Sequence, residues 1–139
     1  MTAPKAVAIV PAEDLLQTLV ESDRRFTLHR VLFDLYSPVF PARVQQLVVA
    51  VVFCGGVGEY QARLTLTAPS GAVVSEAPFT FTARTYHIQA VNLSGVVLPE
   101  PGEYTLAVDL EGRLALTAPI VVADLRLPAP AATDQGVAA

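Results

Sequence analysis

The stretch that decides the fold is Pro99-Glu100-Pro101-Gly102-Glu103-Tyr104, which runs directly into Thr105-Leu106-Ala107-Val108-Asp109-Leu110. A Pro/Gly turn delivers Tyr104 into a segment in which apolar and polar residues alternate strictly, as in a half-buried β-strand. In a two-sheet sandwich, a tyrosine near the start of a strand can hydrogen-bond to the backbone across a corner, and Tyr104 has that position. Simple burial of the Tyr104 side chain is the alternative, and the sequence leaves both open. This stretch predicts how the chain folds, but it carries no chemistry.

The same alternation returns along most of the chain. Strand-like segments separated by turn residues occupy residues 6–10, 26–36, 47–54, 60–68, 79–84, 86–93, 104–110 and 114–122. About eight short strands predict an all-β fold, namely a single antiparallel two-sheet sandwich of the immunoglobulin-like kind. Residues 14–20 fit both a helical face and a strand, and the pattern leaves both open. We expect one domain over residues 1–127 and a disordered Ala/Pro-rich tail over 128–139.

One strand is unusual because residues 47–54, Leu-Val-Val-Ala-Val-Val-Phe-Cys, are apolar at both odd and even positions. Residues of one parity point to one face of a strand and those of the other parity to the opposite face, so both faces are apolar. The outer face of an antiparallel sandwich is normally polar, so we expect this strand to be covered on both faces or to lie inside a larger assembly. Its possible interface residues are Leu47, Val49, Val51 and Phe53. The glycine-rich stretch that follows, residues 55–58, can adopt positive φ, and we expect it to turn the chain into the next strand.

Composition excludes several classes of function. The chain has 139 residues, 53% of them hydrophobic, which is enough for one cored domain without a disulfide or metal staple. The net charge is −4 and no basic stripe occurs, so we expect neither nucleic acid nor a membrane surface as a partner. No apolar run reaches the roughly 18 residues of a membrane span. Cys54, the single cysteine, fits a reducing compartment, and we expect a soluble cytoplasmic protein.

No residue pattern points to catalysis, to a cofactor or to a metal. His29 and His87 have no metal-binding spacing to Cys54, and no serine lies in a Gly-x-Ser-x-Gly elbow. The glycines at 55–58 lack the lysine and the helix that a phosphate-binding loop needs. We therefore expect no catalytic residue, no cofactor and no metal ligand. A calcium site assembled from distant loops stays open, because such a site leaves no sequence pattern.

Three stretches resemble a bacterial family of small uncharacterised β-sandwich proteins, a domain of unknown function. They are Glu13-Asp14 with Phe26-Thr27-Leu28-His29-Arg30-Val31 and Asp34, then Phe40-Pro41 before the long apolar strand, and then Leu98-Pro99-Glu100-Pro101-Gly102-Glu103-Tyr104. The resemblance covers about residues 6–125. It implies a sandwich fold and a stand-alone intracellular domain, and it carries no catalytic residues.

Three functions follow as hypotheses. The leading one is a non-catalytic protein-interaction or assembly module of a bacterial cell, which binds a protein partner or a further copy of itself. The second is a small-ligand or carbohydrate-binding sandwich. Its possible ligand-facing polar cluster is Tyr86, His87, Gln89 and Asn92. The third is a hydrolase whose residues come together from distant loops.

Overall fold

The structure is a computed structural model and describes residues 3–20, 23–31 and 34–124. The described residues form strands, turns and bends and no helix, so the all-β prediction is confirmed. The strands are β1 (Lys5–Val20), β2 (Asp23–Val31), β3 (Asp34–Ser37), β4 (Ala42–Thr67), β5 (Val73–Leu98), β6 (Gly102–Leu110) and β7 (Arg113–Asp124). Residues 14–20 belong to β1 and are therefore strand. The predicted tail lies outside the described residues.

The seven strands hydrogen-bond into one sheet that curls into a half barrel. Their order is β2-β1-β4-β6-β7-β3, and β5 pairs with the opposite edge of β4. All pairs are antiparallel except β3 with β7, which is parallel. The sequence predicted about eight short strands in two sheets, and the structure instead has one continuous sheet with two very long strands.

The reason for this difference lies in β4 and β5, each of which covers two of the strands predicted from alternation. Both strands have 26 residues, and they pair from Ala42 opposite Leu98 to Thr67 opposite Val73. On its other edge, β4 pairs first with β1, over residues 48–54, and then with β6, over residues 62–67. The β4–β5 ribbon thereby joins what would be two sheets into one.

The glycine-rich stretch lies in the middle of β4 and does not reverse the chain, so the predicted turn is wrong. Gly55, Gly56 and Gly58 all have positive φ, at 79°, 84° and 99°. Gly55 is opposite Arg84 and Glu59 is opposite Thr82. Between these two pairs, β4 has three residues, 56–58, and β5 has one, Ala83. Extra residues on one strand bend a ladder. We call residues 42–54 with 86–98 the first half of the ribbon, and residues 59–67 with 73–84 the second half.

One core lies inside the curl and receives side chains from both halves of the ribbon. Its fully buried members are Leu47, Val49, Val51, Phe53, Leu64, Leu66, Tyr104, Leu106, Val108, Ile120 and Val122. At the bend, the rings of Phe53 and Phe81 stack with their centroids 4.1 Å apart. Because Phe53 is in the first half and Phe81 in the second, this contact holds the two halves together across the glycines.

Tyr104 forms a backbone hydrogen bond, which was one of the two alternatives that the sequence left open. Its Oη donates to the carbonyl oxygen of Glu100 at 2.6 Å and accepts from the Glu100 N–H at 3.2 Å. The side chain is fully buried. Burial raises the pKa of the Tyr104 hydroxyl, against the opposite effect of its hydrogen bond to Glu100. The hydrogen bonds between Tyr104 and the Glu100 backbone therefore hold the turn at residues 99–102 against the start of β6.

Substitution of Tyr104 by Phe should lower the free energy of unfolding by about 1–2 kcal/mol, because the Glu100 backbone loses its partner in a buried place. In the wild type, the raised pKa adds stability that is complete below about pH 10 and is lost as the pH rises toward the folded-state pKa. Urea denaturation at pH 7 and between pH 9 and 11 measures both effects.

The control for that prediction is Tyr36→Phe, since Tyr36 is exposed and hydrogen-bonds Asp34 on the surface. We expect this variant to unfold within about 0.5 kcal/mol of the wild type at pH 7. If Tyr104→Phe were as stable as Tyr36→Phe, the Tyr104 bond would not be fastening the turn.

Substitution of Gly56 by Ala should destabilise the chain more than substitution of Gly55 by Ala. Both residues have positive φ, which costs a residue with a Cβ about 1–2 kcal/mol. A Cβ at Gly56 would also lie 2.7 Å from the N and Cδ atoms of Pro4, whereas one at Gly55 meets nothing within 4 Å. Thermal unfolding of the pair measures the difference, and equal losses would show that Pro4 does not pack on Gly56.

Candidate functional site

The predicted polar cluster occupies one stretch of β5 but is divided between the two faces of the sheet. His87 and Gln89 have the parity of the core residues Val91 and Leu93, and His87 Nε2 lies 2.8 Å from Gln89 Oε1. The other two members of the cluster, Tyr86 and Asn92, are exposed and have the opposite parity. The structure thus brings together two of the four residues, and the four do not share one face of the sheet.

His87 is part of the aromatic packing at the bend. Its ring stacks on Phe81, with centroids 5.1 Å apart and planes 11° from parallel. Among the described residues, its hydrogen-bond partner is the side-chain amide of Gln89, which is neither a nucleophile nor a titratable group. The surroundings of His87 therefore fix its orientation without giving it an acid–base partner.

The predicted interface residues Leu47, Val49, Val51 and Phe53 lie in the chain's own core, each no more than 1% exposed. Their side chains therefore offer no surface in the folded chain. The two-sided apolar pattern itself is real, because Val48 and Ala50 on the other face are also buried. Any surface that this strand contributes must come from its even-numbered residues.

Those even-numbered residues lie beside further apolar residues on both neighbouring strands. Val52 is opposite Ala8 of β1 and Ile88 of β5, and Ala50 is opposite Val10 and Ala90. Residues directly opposite in an antiparallel pair share a face. We call this set the outer apolar face: Ala8, Val10, Val48, Ala50, Val52, Ile88 and Ala90. Ala90 is exposed, and Ala8, Val10, Val52 and Ile88 are half-buried.

The same two strands have a polar outer face in the second half of the ribbon. The residues of that face on β4, β5 and β6 are Gln61, Arg63, Thr65, Glu76, Pro78, Thr80, Thr82, Thr105, Ala107 and Asp109. Arg63 and Glu76 form an ion pair there at 3.6 Å, with both side chains about half exposed. The outward polarity of β4 and β5 therefore changes at the glycine bend.

An open cleft of about 760 Å³ lies on this polar face. Its lining residues include Gln61, Arg63, Asp109 and Glu111. Glu111 Oε2 accepts from the Gln61 N–H at 2.6 Å, and the Glu111 N–H donates to the Gln61 carbonyl at 2.9 Å. Glu111 thus holds the β6–β7 turn against β4, and its carboxylate is engaged in this structural contact.

The described residues contain no group of three or more His, Cys, Asp or Glu side chains that could hold a metal ion. Over the same residues there is no helix long and apolar enough to cross a membrane.

Sequence reasoning found the strand at residues 47–54 but missed the neighbours that complete the outer apolar face. Ala8 and Val10 lie about 40 residues earlier, and Ile88 and Ala90 about 40 residues later. Each of these segments is short and reads as an ordinary strand. Only the register of β1 and β5 against β4 places them side by side.

Comparison with protein-family models shows which family the chain resembles. A family model described as a family of unknown function (DUF6941) matches residues 18–123. The matched span contains the whole of β4 and β5, and with them the glycine bend. No curated protein matches the chain. The match agrees with the resemblance to an uncharacterised domain family.

Proposed function

The chain belongs to the family of unknown function DUF6941, and we propose that it is a non-catalytic protein-interaction module that binds a partner protein through the outer apolar face. One observation carries this proposal. Along the same two strands, most outward residues of the second half of the ribbon are polar, whereas those at positions 48, 50, 52, 88 and 90 of the first half are apolar, with the polar Asn92 at their margin opposite Val48. A sheet that needed only to be soluble would have polar outward residues in both halves.

The physical argument is the cost of leaving the accessible part of this face in water, namely Ala8, Val10, Val52, Ile88 and Ala90, since Val48 and Ala50 are already buried. Half-buried valine and isoleucine side chains gain about 25 cal/mol for each Å² of apolar area that a partner covers. Contiguous apolar patches of this kind on soluble proteins mark interaction sites. Tyr86, which is 66% exposed and pairs with Cys54 beside the patch, adds an aromatic side chain of the type enriched at interfaces.

A protein fits this surface better than a small ligand does. The outer apolar face lies on the outside of the curl, opposite the core, and small-ligand sites are concave with converging polar groups. The carbohydrate-binding alternative needs its four polar residues on one face, but Tyr86 and Asn92 lie on the opposite face of the sheet from His87 and Gln89. The hydrolase alternative needs a nucleophile or a titratable group beside His87, whereas the side chain that hydrogen-bonds to His87 is the amide of Gln89.

Two finer points belong to the same proposal. We propose that the curled sheet is related to immunoglobulin-like sandwiches, with β4 and β5 each passing between two layers at the bend. The Tyr104 bond to Glu100 supports this, because a tyrosine corner is typical of those folds. We also propose a cytoplasmic location in a bacterial cell, since a single cysteine in 139 residues fits a reducing compartment.

The test is Ala90→Lys, which places a charge in the outer apolar face. Immobilised chain is exposed to a lysate of the cells from which the sequence comes, and each retained protein is quantified. We expect a partner to be retained by the wild type and to bind the variant at least about tenfold more weakly, because the interface must desolvate the charge.

The matched control is Ala115→Lys, which is also an exposed alanine of a strand but lies on β7, at the register shift between Leu114 and Leu116. Its retention of the partner should equal that of the wild type, and thermal unfolding should show both variants folded. Equal retention by Ala90→Lys and Ala115→Lys would contradict the proposal, and so would the absence of any protein retained by the wild type.

A further inference from the structure

The free edge of β5 carries an interaction that the outer apolar face does not include. We propose that two copies of the chain pair through this edge, with residues 76–84 of one copy antiparallel to residues 76–84 of the other. The resulting dimer has a twofold axis at Thr80. The proposal uses backbone groups and a different stretch of β5, so it stands independently of the partner-binding face.

The edge is long and open. Among the residues that the structure describes, all 26 residues of β5 belong to a strand that pairs with β4 alone. A strand with one unpaired edge presents a row of backbone N–H and C=O groups to any second strand. Addition of such a strand is a common mode of protein recognition.

The sequence of this edge is complementary to itself. Residues 76–84 read Glu-Ala-Pro-Phe-Thr-Phe-Thr-Ala-Arg. In an antiparallel pair centred on Thr80, Phe79 is opposite Phe81, Ala77 is opposite Ala83, and Glu76 is opposite Arg84. Residues of equal size therefore meet on one face and opposite charges meet on the other. Because a twofold interface repeats each contact, the dimer contains two Glu76–Arg84 pairs and two Phe79–Phe81 pairs.

The side chains are placed as this pairing requires. Phe81 is buried and Phe79 half-buried, and their ring centroids lie 6.2 Å apart at the margin of the core. Glu76 and Arg84 are exposed on the outward face. Glu76 pairs through Oε2 with Arg63 of its own strand pair at 3.6 Å, a half-exposed contact that a second arginine can share, and Arg84 forms no ion pair with another described residue. Opposite charges directly across two strands contribute roughly 0.2–1 kcal/mol each. A second copy thus extends both the aromatic row and the charged row.

Pro78 sets the strength of this contact. A proline has no N–H, so within a sheet its nitrogen faces the unpaired side of an edge strand. Residues of the same parity, including Thr80 and Thr82, then also turn their backbone groups toward the free edge. In the dimer Pro78 is opposite Thr82, and each copy lacks one donor there. The pairing is consequently weaker than a complete ladder and depends on protein concentration.

The experiment measures the dissociation constant of the full chain by sedimentation equilibrium. We expect a reversible dimer that Arg84→Glu and Glu76→Arg each weaken at least tenfold, because each brings two like charges together twice. The double charge swap Glu76→Arg with Arg84→Glu should restore the dissociation constant to within about threefold of the wild type. Pro78→Thr should tighten the dimer, because it supplies the missing donor.

Two control variants separate this surface from others. Arg113→Glu reverses an exposed charge outside the edge and should leave the dissociation constant unchanged. Ala90→Lys should do the same, which keeps this result distinct from the partner-binding test. A wild type and a Pro78→Thr variant that both stay monomeric at millimolar concentration would overturn the proposal. So would a dimer that tolerates Arg84→Glu, or one that only Ala90→Lys dissociates.

Discussion

The pairing of β4 with β5 is the constraint on which the rest of the structure depends. It fixes which residues of 26 on each strand face the core, and β1 and β6 take their positions from β4 in turn. In the second half of β4, a slip of one residue would expose Leu64 and Leu66 and bury their polar neighbours Arg63 and Thr65. The large number of fully buried aliphatic residues therefore selects this register over its alternatives.

The bend within this ribbon connects the fold to the proposed function. Three glycines with positive φ let β4 carry extra residues opposite β5, and the ribbon curls around one core. Phe53 and Phe81 close the inside of the bend by stacking. On the outside, the two halves then face different directions and can differ in polarity. An apolar face and a charged, open edge can thus belong to the same pair of strands.

The sequence alone was sufficient for the all-β class. Strict alternation in 60–68 and 104–110 predicted strands, and the Pro-Gly entry marked Tyr104 as a candidate for a backbone hydrogen bond, because both depend on residues close in the chain. The glycine stretch was read wrongly, since the same residues permit both a hairpin turn and a bulge. The pairing of β4 with Thr82 and Arg84 of β5 decides between the turn and the bulge, and this long-range pairing cannot be inferred from the local sequence.

The candidate surface was only half predictable for the same reason. A strand that is apolar at both parities shows that two faces are covered, but it does not show which face is the core. Leu47, Val49, Val51 and Phe53 were chosen as interface residues and lie inside. Their outward neighbours Val52 and Ala50 become part of a surface only through Ile88 and Ala90, which the register places beside them.

The most direct test of this account is the measurement of cross-strand backbone NOEs by NMR in uniformly labelled protein. The account predicts NOEs between Val51 and Gln89 and between Ala62 and Phe79, which place both halves of β4 against β5. NOEs that instead join residues 50–54 to residues 59–63 would show a hairpin at the glycines. That result would contradict the continuous ribbon, and with it the outer apolar face and the free edge.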